Sequence, residues 1–229
     1  MAKINFKKGL TDIVLYIIIF IVVQIFLTCA GAGIWAAVKG EGYQATLLAM
    51  HTGNNAILTA LTTVFSNVIT LIIFLKAKWT PITRNYLQSK PWISLLWVAL
   101  FTLGAIIPLE FVYEQIGIEI DADTERVFAS LMKEPWGYVA IGILAPLAEE
   151  IVFRGAILRT LLDMVSKKNH WVAIFISAAV FGLIHGNKAQ FINALLMGLL
   201  LGWMYYRTKS LVPGILMHWV NNTMAYVLN

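Results

Sequence analysis

The chain contains 229 residues, of which 59% are hydrophobic and only 13% are charged, and its mean hydropathy is +0.77. A water-soluble domain carries about 45–50% apolar and about 25% charged residues, so this composition excludes a soluble domain, a disordered chain and a coiled coil. The predicted fold class is an all-α, polytopic membrane helix bundle in the lipid bilayer. The net charge of +5 comes with no basic run interleaved with aromatic residues, so no nucleic-acid partner is expected.

Seven apolar segments are long enough to cross a bilayer as helices of roughly 20 residues. They cover residues 10–38, 56–75, 92–113, 136–163, 171–187, 190–206 and 210–228. The first follows a lysine-bearing N-terminus, but its apolar stretch is too long for a cleavable signal peptide, so an uncleaved helix is expected. Residues 1–229 are therefore predicted to form a single integral membrane domain, with N-terminal spans in 1–135 and a core in 136–229.

The lysine and arginine residues predict the orientation of these spans. Eleven of them lie at the N-terminus and in the second, fourth and sixth connections, against four on the other side. Since positively charged connections stay in the cytoplasm, the N-terminus is predicted to be cytoplasmic and the C-terminus extracytoplasmic.

Two local patterns predict structural features but indicate no catalytic role. Residues 124–133 are expected to form a short helix at the membrane interface. Gly198 and Gly202 form a G-x-x-x-G pattern in the sixth span, which we interpret as close helix packing within the chain.

Three charged residues lie in the middle of the fourth span, where each costs roughly 2.5–3.5 kcal/mol on insertion scales. Glu150 and Arg154 are four residues apart, so they can pair along one helix face and simply hold helices together. Glu149 points to a different face and has no such partner. A carboxylate held at low dielectric is suited to act as a general base.

Two later spans each carry a histidine. Phe181 precedes His185 by one helical turn, and His218 shares a helix face with Asn222. Each pair alone is compatible with packing. Together with Glu149 they predict a site that activates water and stabilises an oxyanion. Glutamate and histidine are also zinc ligands, although the H-E-x-x-H pattern of common zinc peptidases is absent.

At these residues the sequence resembles the CAAX protease and bacteriocin-processing (CPBP, or Abi) family of intramembrane endopeptidases. The family motifs are E-E-x-x-x-R, F-x-x-x-H and H-x-x-x-N. Here they occur complete and in order, as Glu149-Glu150…Arg154, Phe181…His185 and His218…Asn222. The resemblance covers about residues 136–225, so the predicted core 136–229 is a catalytic core.

The resemblance implies hydrolysis of peptide bonds in a membrane-associated or secreted peptide or protein. By analogy with the family, Glu149 and His185 activate the attacking water, while His218 and Asn222 stabilise the oxyanion. Glu150, Arg154 and Phe181 would support this geometry. We favour a glutamate-type peptidase that needs no cofactor; if zinc is bound, Glu149, His185 and His218 are its expected ligands.

The predicted spans leave one geometric difficulty. They place Glu149 in the middle of its span but His185 close to the outer end of the next. For the two to meet, either the connection at 186–190 dips into the membrane or the predicted bounds of these spans are wrong.

A multi-pass protein of a bacterial plasma membrane is the expected setting, with a peptide or membrane-protein substrate. The alternatives are a non-catalytic protein, acting in bacteriocin self-immunity or as a membrane scaffold, and a transporter or proton relay. The sequence predicts neither a particular substrate nor an oligomeric state.

Overall fold

The computed structural model describes residues 5–115, 117 and 122–228, which are mostly helical and contain no strand. The first six helices are α1 (Phe6–Lys39), α2 (Tyr43–His51), α3 (Ala56–Lys76), α4 (Asn85–Gln88), α5 (Trp92–Gln115) and α6 (Ala122–Met132). A continuous helical rod follows over residues 135–164, and the chain ends in α10 (His170–Leu183), α11 (Lys188–Thr208) and α12 (Val212–Leu228). The predicted all-α membrane bundle is confirmed, and α6 is the short helix expected near 124–133.

In the described part of the chain, four helices are long and apolar enough on their own to cross a membrane: Phe6–Lys39, Ala56–Lys76, Trp92–Leu109 and Lys188–Thr208. They correspond to the first, second, third and sixth predicted spans. The other three predicted spans coincide with the rod, α10 and α12. Of these, α10 has 14 residues and α12 has 17, so each is shorter than the roughly 20 residues that a full crossing needs.

The rod alternates between α-helix and wider π-helix. Its segments are α7 (Pro135–Gly137), π1 (Tyr138–Leu144), α8 (Ala145–Glu149), π2 (Glu150–Leu158) and α9 (Arg159–Met164). Pro146 lies at the start of α8 and has no N–H for the usual helical hydrogen bond, which accounts for the irregular register beside it. π-Helical turns are rare and frequently occur at functional sites.

Side chains from neighbouring elements hydrogen bond to backbone carbonyls of π2. The Thr80 hydroxyl donates to the Ile151 carbonyl at 2.7 Å, and the Ser177 hydroxyl donates to the Phe153 carbonyl at 3.0 Å. All nine residues of π2 are buried, so these donors satisfy polar groups that have no access to water. They also fix the rod against the loop after α3 and against α10.

Helices α10 and α11 pack closely through two glycines. A Cβ added at Gly198 would lie 2.8 Å from the Ala178 Cβ, and one added at Gly202 would lie 2.9 Å from the Ile174 Cγ2. Only residues without a side chain allow this approach. The predicted packing of the G-x-x-x-G pattern within the chain is confirmed.

Candidate active site

Glu149 and His218 form the first contact of the site. Glu149 is the last residue of α8 and His218 lies in the first half of α12. The Glu149 Oε2 is 3.5 Å from the His218 Nε2. The Glu149 side chain is 18% exposed, against 1% for Glu150. Of the two adjacent carboxylates, only Glu149 is therefore open to water or to a substrate.

Glu150 and Arg154 form the ion pair expected from their spacing. The Arg154 Nη1 donates to the Glu150 Oε1 at 2.8 Å, and both side chains are 1% exposed. Gly214 and Gly198 make room for this pair, since a Cβ added there would lie 2.8 Å from the Glu150 Oε2 and 3.4 Å from the Arg154 Nη2. Removal of either partner would leave an uncompensated buried charge.

His218 connects the ion pair to Glu149. Its Nδ1 lies 3.3 Å from the Glu150 Oε1, on the opposite side of the ring from the contact with Glu149. A neutral imidazole donates from only one nitrogen, whereas an imidazolium donates from both. The buried carboxylate of Glu150 therefore fixes the orientation of the His218 ring, and the Nε2 faces Glu149.

Phe181 lies among the other residues of the predicted site. Its ring packs edge-on against His185 at 5.0 Å and against His218 at 5.9 Å, measured between centroids. The Arg154 guanidinium carbon is 4.4 Å from the centroid of the same ring, which is within cation–π range. Phe181 thus brings the three motifs together in one cluster.

His185 does not contact Glu149 directly. Its Nδ1 lies 2.8 Å from the Phe181 carbonyl oxygen, and no hydrogen bond or ion pair joins it to Glu149 among the described residues. The structure packs both histidines edge-on against Phe181 and places His218, not His185, against Glu149.

The helix before His185 ends earlier than its predicted span. The predicted span runs to residue 187, but α10 ends at Leu183 and Gly186 adopts φ 75°. Fourteen residues rise about 21 Å, which is less than the roughly 30 Å of the hydrocarbon core. The α10 helix is therefore too short to cross the core, and the end predicted for this span is wrong.

Asn222 contacts the rod. Its Nδ2 donates to the Ile141 carbonyl of π1 at 2.9 Å, while its Oδ1 accepts from the neighbouring Asn221 at 3.4 Å. An amide nitrogen carries two N–H donors, so one remains available. In this structure the contact with Ile141 holds α12 against π1.

Sequence reasoning missed a polar seam between α12 and the start of the rod. The Trp219 Nε1 donates to the Tyr138 hydroxyl at 3.1 Å, and this hydroxyl is also 3.1 Å from the Thr223 Oγ1. The Tyr226 hydroxyl donates to the Met132 carbonyl at 2.6 Å. Trp219, Thr223 and Tyr226 follow helical spacing, which was the available signal. The seam fixes the helix that carries His218 and Asn222.

The described residues contain no group of three or more His, Cys, Asp or Glu side chains arranged to hold a metal ion. In particular, Glu149, His185 and His218 do not form such a group. His218 has both ring nitrogens directed at carboxylates. This donor arrangement does not fit a zinc site.

Two comparisons with known proteins found similar sequences. Residues 131–224 match the family described as type II CAAX prenyl endopeptidase Rce1-like. The chain is also 26% identical, over 126 residues, to a Bacillus subtilis (strain 168) protein named "Putative membrane peptidase YdiL". That alignment covers 52% of this chain and 50% of the relative, so the chain spans about half the length of the curated relative that it matches. No solved structure matches the chain.

The described residues form an all-α membrane protein whose C-terminal core holds the buried Glu150–Arg154 ion pair beside His218 and Glu149. The family match covers this same core and includes all three motifs. This core is thus similar to the Rce1-like CAAX prenyl endopeptidase family and to a protein named as a putative membrane peptidase.

Proposed function

We propose that the chain is an intramembrane endopeptidase of the glutamate type, with Glu149 as the general base. The observation that carries the proposal is the contact between Glu149 and His218, next to the sealed ion pair of Glu150 with Arg154. Glu149 is the accessible carboxylate of this cluster, and its position lies in the segment that matches a peptidase family.

In the proposed reaction, Glu149 takes a proton from water and the water oxygen attacks the carbonyl carbon of the scissile peptide bond. Once Glu149 carries the proton, the His218 Nε2–H turns from Glu149 to the developing oxyanion, which also accepts a hydrogen bond from the free N–H of Asn222. Collapse of the intermediate breaks the C–N bond, and the protonated Glu149 returns its proton to the leaving amine.

The supporting residues act by position. The Glu150 carboxylate directs the His218 ring, and Arg154 compensates the charge of Glu150. His185 is assigned to water activation together with Glu149. His185 packs beside Phe181 and is therefore close to the cluster. In the proposed reaction, one water molecule lies between the His185 and Glu149 side chains.

The substrate is proposed to be a membrane-associated peptide or protein that reaches this site from the bilayer. The proposed orientation has the N-terminus in the cytoplasm of a bacterial cell, because eleven basic residues lie on that side against four on the other. Reporter fusions at residues 40 and 229 test the orientation: both should report an extracytoplasmic location.

The test of the activity is cleavage of a panel of lipidated and unlipidated peptides by the purified chain in liposomes. Glu149→Gln should lower kcat by about 10²–10⁴-fold, the usual contribution of a general base. The matched control is Glu125→Gln, since Glu125 is an exposed carboxylate on α6, and it should cleave as the wild type does.

A chelator distinguishes the catalytic type. Cleavage that persists with the chelator supports the glutamate type, while loss that zinc restores would replace it with a metallopeptidase. If the wild type and Glu149→Gln are both inactive on the panel yet both protect cells from a bacteriocin, the non-catalytic alternative replaces the proposal.

A further inference from the structure

A cleft of about 780 Å³ opens at the ends of α9, α10 and α11 where basic residues concentrate, away from the candidate active site. Its polar lining includes Lys167, Arg207, Lys209 and His170, with Asp163 as the one lining carboxylate in the described part of the chain. The remaining lining includes the apolar side chains of Leu162 and Val165. The peptidase mechanism uses none of these residues.

An aromatic stack forms one wall of the cleft. The rings of His170 and Tyr206 are parallel to within 6° with centroids 4.2 Å apart. The Lys209 ammonium lies 4.4 Å from the centroid of the Tyr206 ring. The stack joins the first residue of α10 to the last turn of α11, so a rigid surface presents these groups.

The cations of the cleft lack carboxylate partners. Lys167, Arg207 and Lys209 form no ion pair with any described side chain. Partial burial lowers the pKa of Lys209, the charge of Asp163 opposes that effect, and the nearby Lys167 lowers the pKa further. Like charges are therefore crowded in the cleft, and a bound anion would relieve their repulsion.

Exposed apolar residues lie directly beside the cleft. Trp171 adjoins the His170 ring at 5.6 Å between centroids and is 52% exposed. Val172 and Phe175, further along α10, are 52% and 55% exposed. Tryptophan is enriched at the membrane interface, so Trp171 is suited to the headgroup level, and an exposed apolar helix surface continues from the cleft along α10.

We propose that this cleft binds the phosphate of an anionic phospholipid, with the acyl chains along the exposed face of α10. Basic pockets at the ends of membrane helices bind phospholipid headgroups. The excess of three cations over one carboxylate favours a lipid with net negative charge over a zwitterionic one.

The test measures the affinity of the detergent-solubilised full chain for short-chain phosphatidylglycerol by native mass spectrometry. The variant Arg207→Gln/Lys209→Gln should bind roughly 25-fold more weakly, because each cation near a phosphate is worth about 1 kcal/mol, or roughly fivefold. The control Arg84→Gln/Lys90→Gln removes the same charge from exposed positions, and Lys90 shares the φ of 52° of Lys209. Equal weakening by both double variants would overturn the proposal, since it would indicate diffuse surface charge.

Further arms identify the source of the phosphate and separate this proposal from the catalytic one. Phosphatidylcholine should bind much more weakly than phosphatidylglycerol, and inorganic phosphate at millimolar concentration should not displace the lipid. Displacement by inorganic phosphate would assign the cleft to a soluble anion and contradict the lipid proposal. Glu149→Gln should bind phosphatidylglycerol with wild-type affinity, whatever its effect on peptide cleavage.

Discussion

Two buried polar clusters in this protein lie among apolar helices, one in the N-terminal spans and one in the core. In the N-terminal spans, Gln24 of α1 accepts a hydrogen bond from Ser66 of α3 at 2.6 Å and donates to Asn67 at 3.5 Å. In the core, Glu150 forms an ion pair with Arg154 and lies 3.3 Å from the His218 Nδ1. The first cluster contains only amides and a hydroxyl, whereas the second contains charges.

The difference separates two uses of polarity in a membrane. Neutral polar contacts between membrane helices average about 0.6 kcal/mol and serve as adhesion. Burying a charged group costs several kcal/mol, and removing its partner leaves this cost uncompensated in the folded state. The charged cluster beside an accessible carboxylate therefore fits the proposed catalytic role, while the neutral cluster is sufficiently explained by helix packing.

The largest effect is expected at the charged cluster. Arg154→Met should lower the free energy of unfolding by about 3–5 kcal/mol, because the buried carboxylate of Glu150 loses its partner. The measurement is denaturant-induced unfolding in mixed micelles, with the exposed Arg84→Met as the control. The double variant Glu150→Gln/Arg154→Met should recover most of the loss. A double variant no more stable than Arg154→Met would show that unpaired charge is not the cause.

A smaller loss is expected where helices approach through glycine. Gly198→Ala should cost about 1–3 kcal/mol through overpacking, since its Cβ would meet Ala178 at 2.8 Å. The matched change in the N-terminal spans is Gly104→Ala, where nothing lies within 4 Å of an added Cβ. There the change should stabilise α5 by about 0.5–1 kcal/mol, because alanine favours the helix.

The two glycine variants are compared by thermal unfolding under identical detergent conditions. Ala178→Gly added to Gly198→Ala should restore much of the lost stability, since it removes the nearest atom. Equal effects of Gly198→Ala and Gly104→Ala would mean that α10 and α11 are not as closely packed as the structure has them.

The sequence predicted the bundle because composition and hydropathy determine that fold class almost alone. It also predicted the Glu150–Arg154 pair, because residues four apart share a helix face. It did not predict π1 and π2. Hydropathy indicates which residues are apolar, but it does not indicate which backbone N–H groups hydrogen bond to which carbonyls. The contact of Glu149 with His218, and not with His185, depends on how three helices pack, which motif spacing does not encode.

The early end of α10 had a local signal. Gly186 takes a left-handed φ of 75°, and the Asn187 side chain caps α11 by accepting from the Gln190 N–H at 2.8 Å. A glycine followed by an N-capping asparagine predicts a helix end and a new start. The hydropathy criterion instead extended the span to residue 187, because long apolar segments outweigh such short signals.

A third prediction concerns the hydrogen bonds that hold the rod. Thr80→Val should cost about 1 kcal/mol, because it removes the donor to the buried Ile151 carbonyl, while Thr80→Ser should keep most of the stability. The matched change in the N-terminal spans is Thr102→Val. Its hydroxyl bonds to Val98 within the same helix, so its loss should matter less. Unfolding free energies that rank Thr102→Val as the more damaging change would contradict this.

The smallest effect is expected at the neutral cluster. Gln24→Leu should cost about 0.6 kcal/mol, and at most about 1.7 kcal/mol, in line with other hydrogen bonds between membrane helices. A double-mutant cycle with Ser66→Ala isolates the pair, because Ser66 also donates to the Thr63 carbonyl in its own helix. Peptide cleavage per folded molecule should stay at the wild-type rate. A loss of cleavage in Gln24→Leu without a loss of stability would join the two clusters into one functional unit, because the neutral contacts would then act on the site and not only on the packing of α1 with α3.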